Sequence, residues 1–413
     1  MRILLWHGYL LGGTGSNVYS RALAREWSKA GHEVVVVCQE RAPEQFDLGT
    51  ATVVNPELPD GLLPVFVLDR YEGMRPKLLQ DFTDAEKAAY VDANASALRE
   101  LLPADLIFTN HVLLGGPVGA ATGQPFRVKA HGSELEYSMR GRPELEEWGR
   151  ESLAQAEVTY VGSEHIRRVL ADVVGETGVV HEVPPGVDID LFVLEDRPAA
   201  LAGLLEAARA DPPNPRNAEE RLPDEGNAER LAEFLAGDVP TVLYFGKLIE
   251  EKGVQVLLEA MQTLDARLVV VGFGPYRAQL EAMAPEGTLF TGPLEHRHLV
   301  HLLPLATATV VPSVFPEAFG MVAAEAAAAG SPPVVARHSG LAEVAAGLEE
   351  SYPERFLGLA SFTSGDSEDL ARKLAEIIAL SADDHDELRR AARQAVVERW
   401  SWHSVAQRLL QPV

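Results

Sequence analysis

Pro316-Glu317-Ala318-Phe319-Gly320-Met321-Val322-Ala323-Ala324-Glu325 is the stretch whose reading organises the rest of the chain. It follows the apolar run Ala308–Val311, which is short, ends against Pro312 and reads as a buried strand. The alanine-rich stretch from about Gly320 to Ala329, closed by Gly330, reads as a helix with its C-terminal stop. Glu317 then falls on the strand–helix connection, and Glu325 about a turn and a half into the helix. Both carboxylates can turn toward the space beyond the strand end, where the first helical turn presents free N–H groups. Carboxylates for hydroxyls beside amides for anions suit a ligand such as a nucleotide sugar.

The same alternation extends outward in both directions. Ile3–Trp6, Glu33–Cys38, Leu106–Thr109, Phe126–Ala130, Val158–Val161 and Val179–Val183 read as strands. Helical periods lie between them at Ser16–Ala30, Asp84–Leu102, Glu144–Ala156 and Glu164–Val174. The second half repeats the scheme with strands at Thr241–Phe245, Arg267–Val271, Thr288–Phe290, Thr309–Val311 and Pro333–Ala336. Strands alternating with helices predict an α/β fold with two doubly wound parallel sheets, each covered on both faces. Between the halves, Glu195–Pro240 holds six prolines among many charged residues and predicts a solvated insertion carrying short helices at Ala199–Arg209 and Ala228–Ala236. A last helix over Asp383–Leu410 is broken near Ser401, between Trp400 and Trp402, so its end is expected to pack rather than dangle.

At 413 residues the chain is long enough for two domains. A formal charge of −25 argues against a nucleic-acid binder and against a protein that lies on anionic lipid. The single cysteine, Cys38, has no partner and reads as a small core residue in a reducing compartment. His7 and Gly8 interrupt the apolar N-terminal stretch, and no segment reaches a membrane span. A cytoplasmic protein with no transmembrane segment is expected.

Several loops could carry chemistry. Gly12-Gly13-Thr14-Gly15-Ser16-Asn17 opens the first helix and could offer amides to an anion. With Glu40 near the end of the second strand it also admits a nicotinamide-dinucleotide reading. Lys247 sits just past a strand and Lys252 at the next helix start, where the dipole disfavours a cation. An anionic partner, such as a diphosphate, accounts for both. Gly272 and Gly274 flank Phe273 after another strand and would permit a close ligand approach. His131 follows a strand in the first half, at the end where open sheets bind ligands. Asp188-Ile189-Asp190 reads as turn chemistry rather than a metal motif, and His296, His298 and His301 do not share one helical face. No metal site is expected.

Together these residues resemble the retaining glycosyltransferases of family 4, which have the GT-B fold of two Rossmann-like domains facing a central cleft. The resemblance covers nearly the whole chain apart from residues 195–240. It implies an acceptor-side domain over 1–185, a donor domain over 186–395, and a terminal helix over 396–413 that crosses back to the first. It implies that Glu325 holds the ribose hydroxyls and Glu317 the donor-sugar hydroxyls beside the reacting carbon. The backbone of Phe319, Gly320 and Met321 would face sugar and phosphates, with Lys247 and Lys252 on the diphosphate. Gly13 would approach the distal phosphate, His131 the donor sugar, and the Gly292-Pro293-Leu294 backbone the base. Relatives often carry a glycine pair where this chain has Ser339-Gly340. The implied activity is a retaining, metal-independent transfer from a nucleotide-diphosphate sugar to a small-molecule, glycan or glycolipid acceptor, with no cofactor. A nucleotide-sugar epimerase on a similar scaffold, a nicotinamide-dependent oxidoreductase and a non-catalytic sugar-nucleotide sensor remain alternatives.

Overall fold

The computed structural model describes residues 1–12, 15–66, 73–132 and 134–412. The chain divides into two compact units, Met1–Gly186 together with Trp402–Val413, and Val187–Ser401. The first unit contains β1 (Arg2–Trp6), β2 (Glu33–Val37), β3 (Thr52–Val54), β4 (Leu62–Val65), β5 (Arg75–Leu78), β6 (Leu106–Asn110), β7 (Arg127–Lys129), β8 (Val158–Val161) and β9 (Val180–Glu182). The second contains β10 (Thr241–Phe245), β11 (Arg267–Val271), β12 (Thr288–Phe290), β13 (Ala308–Val311), β14 (Pro333–Ala336) and β15 (Ser361–Phe362).

Among the described residues the first sheet runs β3-β2-β1-β6-β7-β8-β9 and the second β12-β11-β10-β13-β14-β15, with every pairing parallel. Leu4 pairs with Val35 on one side and Ile107 on the other, and Leu243 with Val269 and Thr309. All five residues of β6 and of β10 are buried, as a strand covered on both faces by helices requires. In both sheets the order reverses beside the first strand of the unit. That leaves a crevice past the C-terminal ends of β1 and β6 in one unit, and of β10 and β13 in the other.

The periodic elements fall where the sequence puts them, to within a few residues. The strands β3, β4, β5 and β15 were not read from the sequence, and Pro64 within β4 and Pro76 within β5 argue locally against a strand. Residues 195–240 carry the two expected helices and much exposed surface, but they are packed onto the second unit rather than standing off it. The helices Arg197–Arg209 and Asn227–Phe234 bury Ala200, Leu204, Ala208, Ala228 and Leu231 in the second unit, and the first of them packs on the helix His296–Leu302. Ala200, Leu204 and Ala208 recur every four residues, an apolar stripe built mostly of alanine and so easily passed over beside the charges.

The predicted last helix is two, Ala382–Arg399 and Trp402–Leu409, and the chain stays in the second unit as far as Ser401. The second of these buries Trp402, Val405, Ala406 and Leu409 against the helix Gly15–Lys29 of the first unit. Trp27 Nε1–H donates to the Ala406 carbonyl at 3.0 Å, and Arg127 to that of Leu409 at 2.8 Å. A Cβ on Gly186 would lie 2.4 Å from the Trp402 ring, so the fit admits only glycine there. Trp402→Ala is expected to destabilise the first unit by about 3–5 kcal/mol, the scale of a large-to-small change in a closed core. Urea unfolding followed by a probe in that unit measures the loss.

Candidate active site

The strand-end crevice of the second unit is built by two interlocked loops. After β10, Gly246 leads to the exposed Lys247, and a tight turn over Glu250–Lys252 ends on Gly253 at φ +68°. A Cβ on Gly253 would lie 1.9 Å from the Pro312 carbonyl oxygen, so glycine alone lets this loop meet the one after β13. The Glu251 carbonyl accepts the N–H groups of Val314 and Phe315 at 3.0 and 3.2 Å, which closes the junction. The result is that Lys252 Nζ forms an ion pair with Glu317 Oε1, which also accepts from Ser313 Oγ at 2.7 Å. Lys252 therefore pairs with neither Glu250 nor Glu251. Lys247 has no ion-pair partner among the described residues and remains an exposed cation at the same strand end.

Gly320, at φ +115°, starts the helix Met321–Ala328, whose first turn has no side-chain cap. Phe319 is buried edge-on against Trp400, ring centroids 5.5 Å apart, and so fixes where the helix begins. Glu325 is 14% exposed, and burial pushes its carboxyl up to about 8. Its Oε1 lies 3.7 Å from His296 Nε2.

Gly272 and Gly274 have a role that the sequence reading misses. A Cβ on either would lie 1.8 Å from the Gly246 carbonyl oxygen or 2.3 Å from that of Leu248. These glycines let the loops after β10 and β11 nest, and this packing accounts for both of them. Leu294 is half-buried against the core of the second unit. Just before it, Gly292 abuts the loop from 211 to 226, whose Asp224 takes both Arg277 Nη1 and Nη2, at 2.8 and 2.5 Å. The crowded histidines end on three different carboxylates. His298 meets Asp211 at 2.9 Å, His301 meets Glu195 at 2.8 Å, and His296 faces Glu325. Asp188 Oδ1 accepts the N–H groups of Asp190 and Leu191 at 3.2 and 3.0 Å, the turn chemistry expected of it.

In the first unit, Gly13 lies outside the described residues. The carboxylate of Glu40 is taken by the Leu11 and Ala42 N–H groups, at 3.3 and 3.1 Å, which makes it a loop clamp. His131 Nε2 meets Asn110 Oδ1 at 2.7 Å, and the Asn110 amide is oriented by donating to the Trp6 carbonyl at 3.2 Å. Around His131 stands a buried group that sequence reasoning did not find. Glu134 Oε1 accepts the N–H groups of His131 and Val112, at 3.1 and 3.2 Å, and Oε2 faces His111 Nδ1 at 3.3 Å. The His111 and His131 rings stand 4.7 Å apart, with His7 stacked on His111 at 6.0 Å.

Burial, the adjacent His111 and Lys129 hold His131 well below the usual histidine range, and burial takes His7 down to about 3. Burial would raise Glu134, but His111 and backbone amides, that of His131 among them, outweigh it and keep the carboxyl low. Lys129, buried with Nζ on the Val183 carbonyl at 2.6 Å, is lowered to about 7, chiefly by burial. His7 and His111 directly follow a strand, and His131 comes two residues after one, so the position that singled out His131 could also have found the other two.

Residues 13–191 match the family described as Glycosyltransferase Family 4, and residues 227–395 match Glycosyl transferases group 1. A D-inositol 3-phosphate glycosyltransferase of Xylanimonas cellulosilytica is 36% identical over 176 residues, covering 40% of this chain and 36% of that protein. The protein of the same name from Acidothermus cellulolyticus is 28% identical over 362 residues, 79% of this chain and 71% of that one. The chain thus spans only about a third of the first of these relatives. Anabaena HepE in complex with UDP and glucose superposes with a TM-score of 0.66 at 17% identity, covering 98% of this chain and 97% of that one. Sucrose-phosphate synthase from Thermosynechococcus elongatus gives 0.64 at 21% identity, covering 99% and 97%. These likenesses show the fold. With both halves matched in order and two doubly wound units in hand, the chain belongs to the group 1 glycosyltransferases of the GT-B fold.

Proposed function

We propose that the protein transfers a sugar from a nucleotide-diphosphate sugar to an acceptor hydroxyl, with retention of configuration and without a metal ion. The observation that carries this reading is the Lys252–Glu317 pair at the strand-end crevice of the second unit, with the exposed Lys247 beside it. Lys247 and Lys252 take the diphosphate, and the uncapped start of the helix at Phe319, Gly320 and Met321 adds amide N–H groups. Glu325 accepts the ribose hydroxyls, and Glu317 those of the donor sugar. Leu294 lies on the turn assigned to the base, with Gly272 and Gly274 shaping the loop between. In the first unit Gly13 serves the distal phosphate, and His131 meets the donor sugar as a neutral ring. Relatives named for GDP-mannose and a solved fold bound to UDP and glucose are consistent with such donors. The acceptor is a small molecule, a glycan or a glycolipid.

Fixed positive charge then sits where negative charge develops on the leaving diphosphate. The acceptor hydroxyl attacks the face from which the diphosphate departs and passes its proton to a phosphate oxygen. Glu317 orients the sugar and steadies positive charge at its reacting carbon instead of attacking it. Its Oε1 is already taken by Lys252 and Ser313, which suits holding better than nucleophilic attack.

Lys252→Ala is expected to lower kcat by about 10²–10³-fold, the scale of one lost electrostatic group at a developing charge. Its unfolding midpoint should stay near that of the parent, and near-normal turnover would sink the diphosphate assignment. Activity is expected to survive EDTA; loss restored by Mn²⁺ or Mg²⁺ would overturn metal independence. Glu325 gives a stability test that needs no substrate. Its carboxyl titrates at about 8 in the folded chain against an ordinary 4.5, so between those values the folded state holds a proton that the unfolded state has lost. Stability therefore falls as pH rises through that window. Glu325→Gln should remove this slope, gaining on the parent by a few kcal/mol, on the order expected from linkage, between pH 4.5 and pH 8. Urea midpoints at both ends of the window decide it. A donor screen by thermal shift with UDP-, GDP- and ADP-sugars names the base.

A further inference from the structure

Ser339 adopts φ +48°, the left-handed region in which a residue with a Cβ is strained and glycine is not. Its neighbours explain why a side chain is kept there. Glu317 N–H donates to Ser339 Oγ at 2.9 Å, and Ser339 Oγ lies 3.0 Å from His338 Nδ1. His338 Nε2 lies 2.6 Å from the Ser313 carbonyl oxygen. A carbonyl can only accept, so Nε2 carries a proton, and in the Nε2–H tautomer Nδ1 is an acceptor. The Ser339 hydroxyl therefore donates to Nδ1, and its lone pairs are left for Glu317 N–H. Ser313 Oγ–H closes the circuit by donating to Glu317 Oε1 at 2.7 Å. Every proton in this ring has one direction, and the ring begins and ends on Glu317.

The turn also grips Glu317 from its other side, since Gly340 N–H donates to the Glu317 carbonyl at 3.0 Å. A Cβ on Gly340 would lie 2.6 Å from the Ala318 carbonyl oxygen, so the two loops are in direct backbone contact. Glycine at 339 would give the same turn without strain but would release the Glu317 amide. Local strain held against such an alternative is the pattern found where geometry serves a site.

We propose that Ser339 is a positioning residue for Glu317, with its hydroxyl aimed by His338, and that its strained backbone is retained for that purpose. This rests on the reading of Glu317 as the group that holds the donor sugar. His338 and Ser339 set where the Glu317 loop stands, and through it the carboxylate. A loosely held carboxylate still admits the donor but meets the transition state less well, so the loss should fall on kcat rather than on KM.

The test is a set of variants in the full chain, assayed for transfer and for thermal unfolding. Ser339→Gly is expected to lower kcat about tenfold, the equivalent of one net hydrogen bond, with donor KM changed less than about threefold. Its Tm should equal or exceed that of the parent, because strain is relieved. Ser339→Ala should lose the same activity and also lose Tm, since it keeps the strain without the bond. A Ser339→Gly protein that retains kcat to within about twofold, or loses it only together with Tm, overturns the proposal. The ¹⁵N signals of His338 in the unaltered protein give a second readout. They are expected to show the Nε2–H tautomer, and an Nδ1–H ring overturns the relay. Glu317→Ala separates the two levels. If it transfers normally, the role of Glu317 itself fails; if it is inactive while Ser339→Gly is normal, only the positioning role fails.

Discussion

The close approach of Gly253 to the Pro312 carbonyl governs the strand-end crevice of the second unit. It brings the loops after β10 and β13 together at a distance that no other residue allows. Lys252 is the residue before Gly253, and Glu317 follows Pro312 by five, so their ion pair is a consequence of that junction. The nested glycines 272 and 274 extend the same solution to the loop after β11. Three strand ends can then converge at one crevice with backbone against backbone, leaving the long side chains free to point outward. A charge pair at such a place is worth little as a stabilising bond when part-exposed, but it fixes two polar groups in one geometry before any ligand arrives.

The first unit solves an equivalent problem with different materials. Its crevice is lined with His7 and His131, held neutral by burial, and with His111, tied through Glu134 and Asn110. The carboxylate of Glu134 gathers two backbone amides and one imidazole, so it ties the loops after β6 and β7 together. A buried network of this kind is costly if any member is removed, and it specifies one arrangement if all are present. Where the second unit places cations at its strand ends, the first places a buried network of imidazoles, an amide and a carboxylate.

Residues 195–240 change meaning once the fold is known. Asn214, almost fully buried, ties Glu219, Leu222 and Pro223 into a compact loop, and the Asp224 N–H donates to the Thr291 carbonyl at 2.9 Å. With Asp224 also on Arg277, this loop buttresses the turn that carries Gly292 and Leu294. Prolines and charges that read as a solvated excursion are the punctuation of a packed one. Asp211, Asn214 and Asp224 are spent on backbone groups and on other side chains, while much of the remaining charge faces solvent.

The sequence by itself determined the alternation of strands and helices, the two parallel sheets, the placement of Glu317, Lys247, Lys252 and His131 in loops after strands, and that of Glu325 in the helix that follows one. Those features follow from local periodicity and from residues that sit next to one another along the chain. What the tertiary structure decided is which of these groups meet. Lys252 lies 65 positions from Glu317, Asn110 lies 21 from His131, and Ser339 lies 22 from Glu317. Pairings over such separations are set by strand order and by which glycines admit close contact, and neither has a period to read. The roles of Ser313, His338 and Ser339 were illegible for the same reason. A hydrogen bond is defined by distance and direction in space, and only the packed sheets supply both.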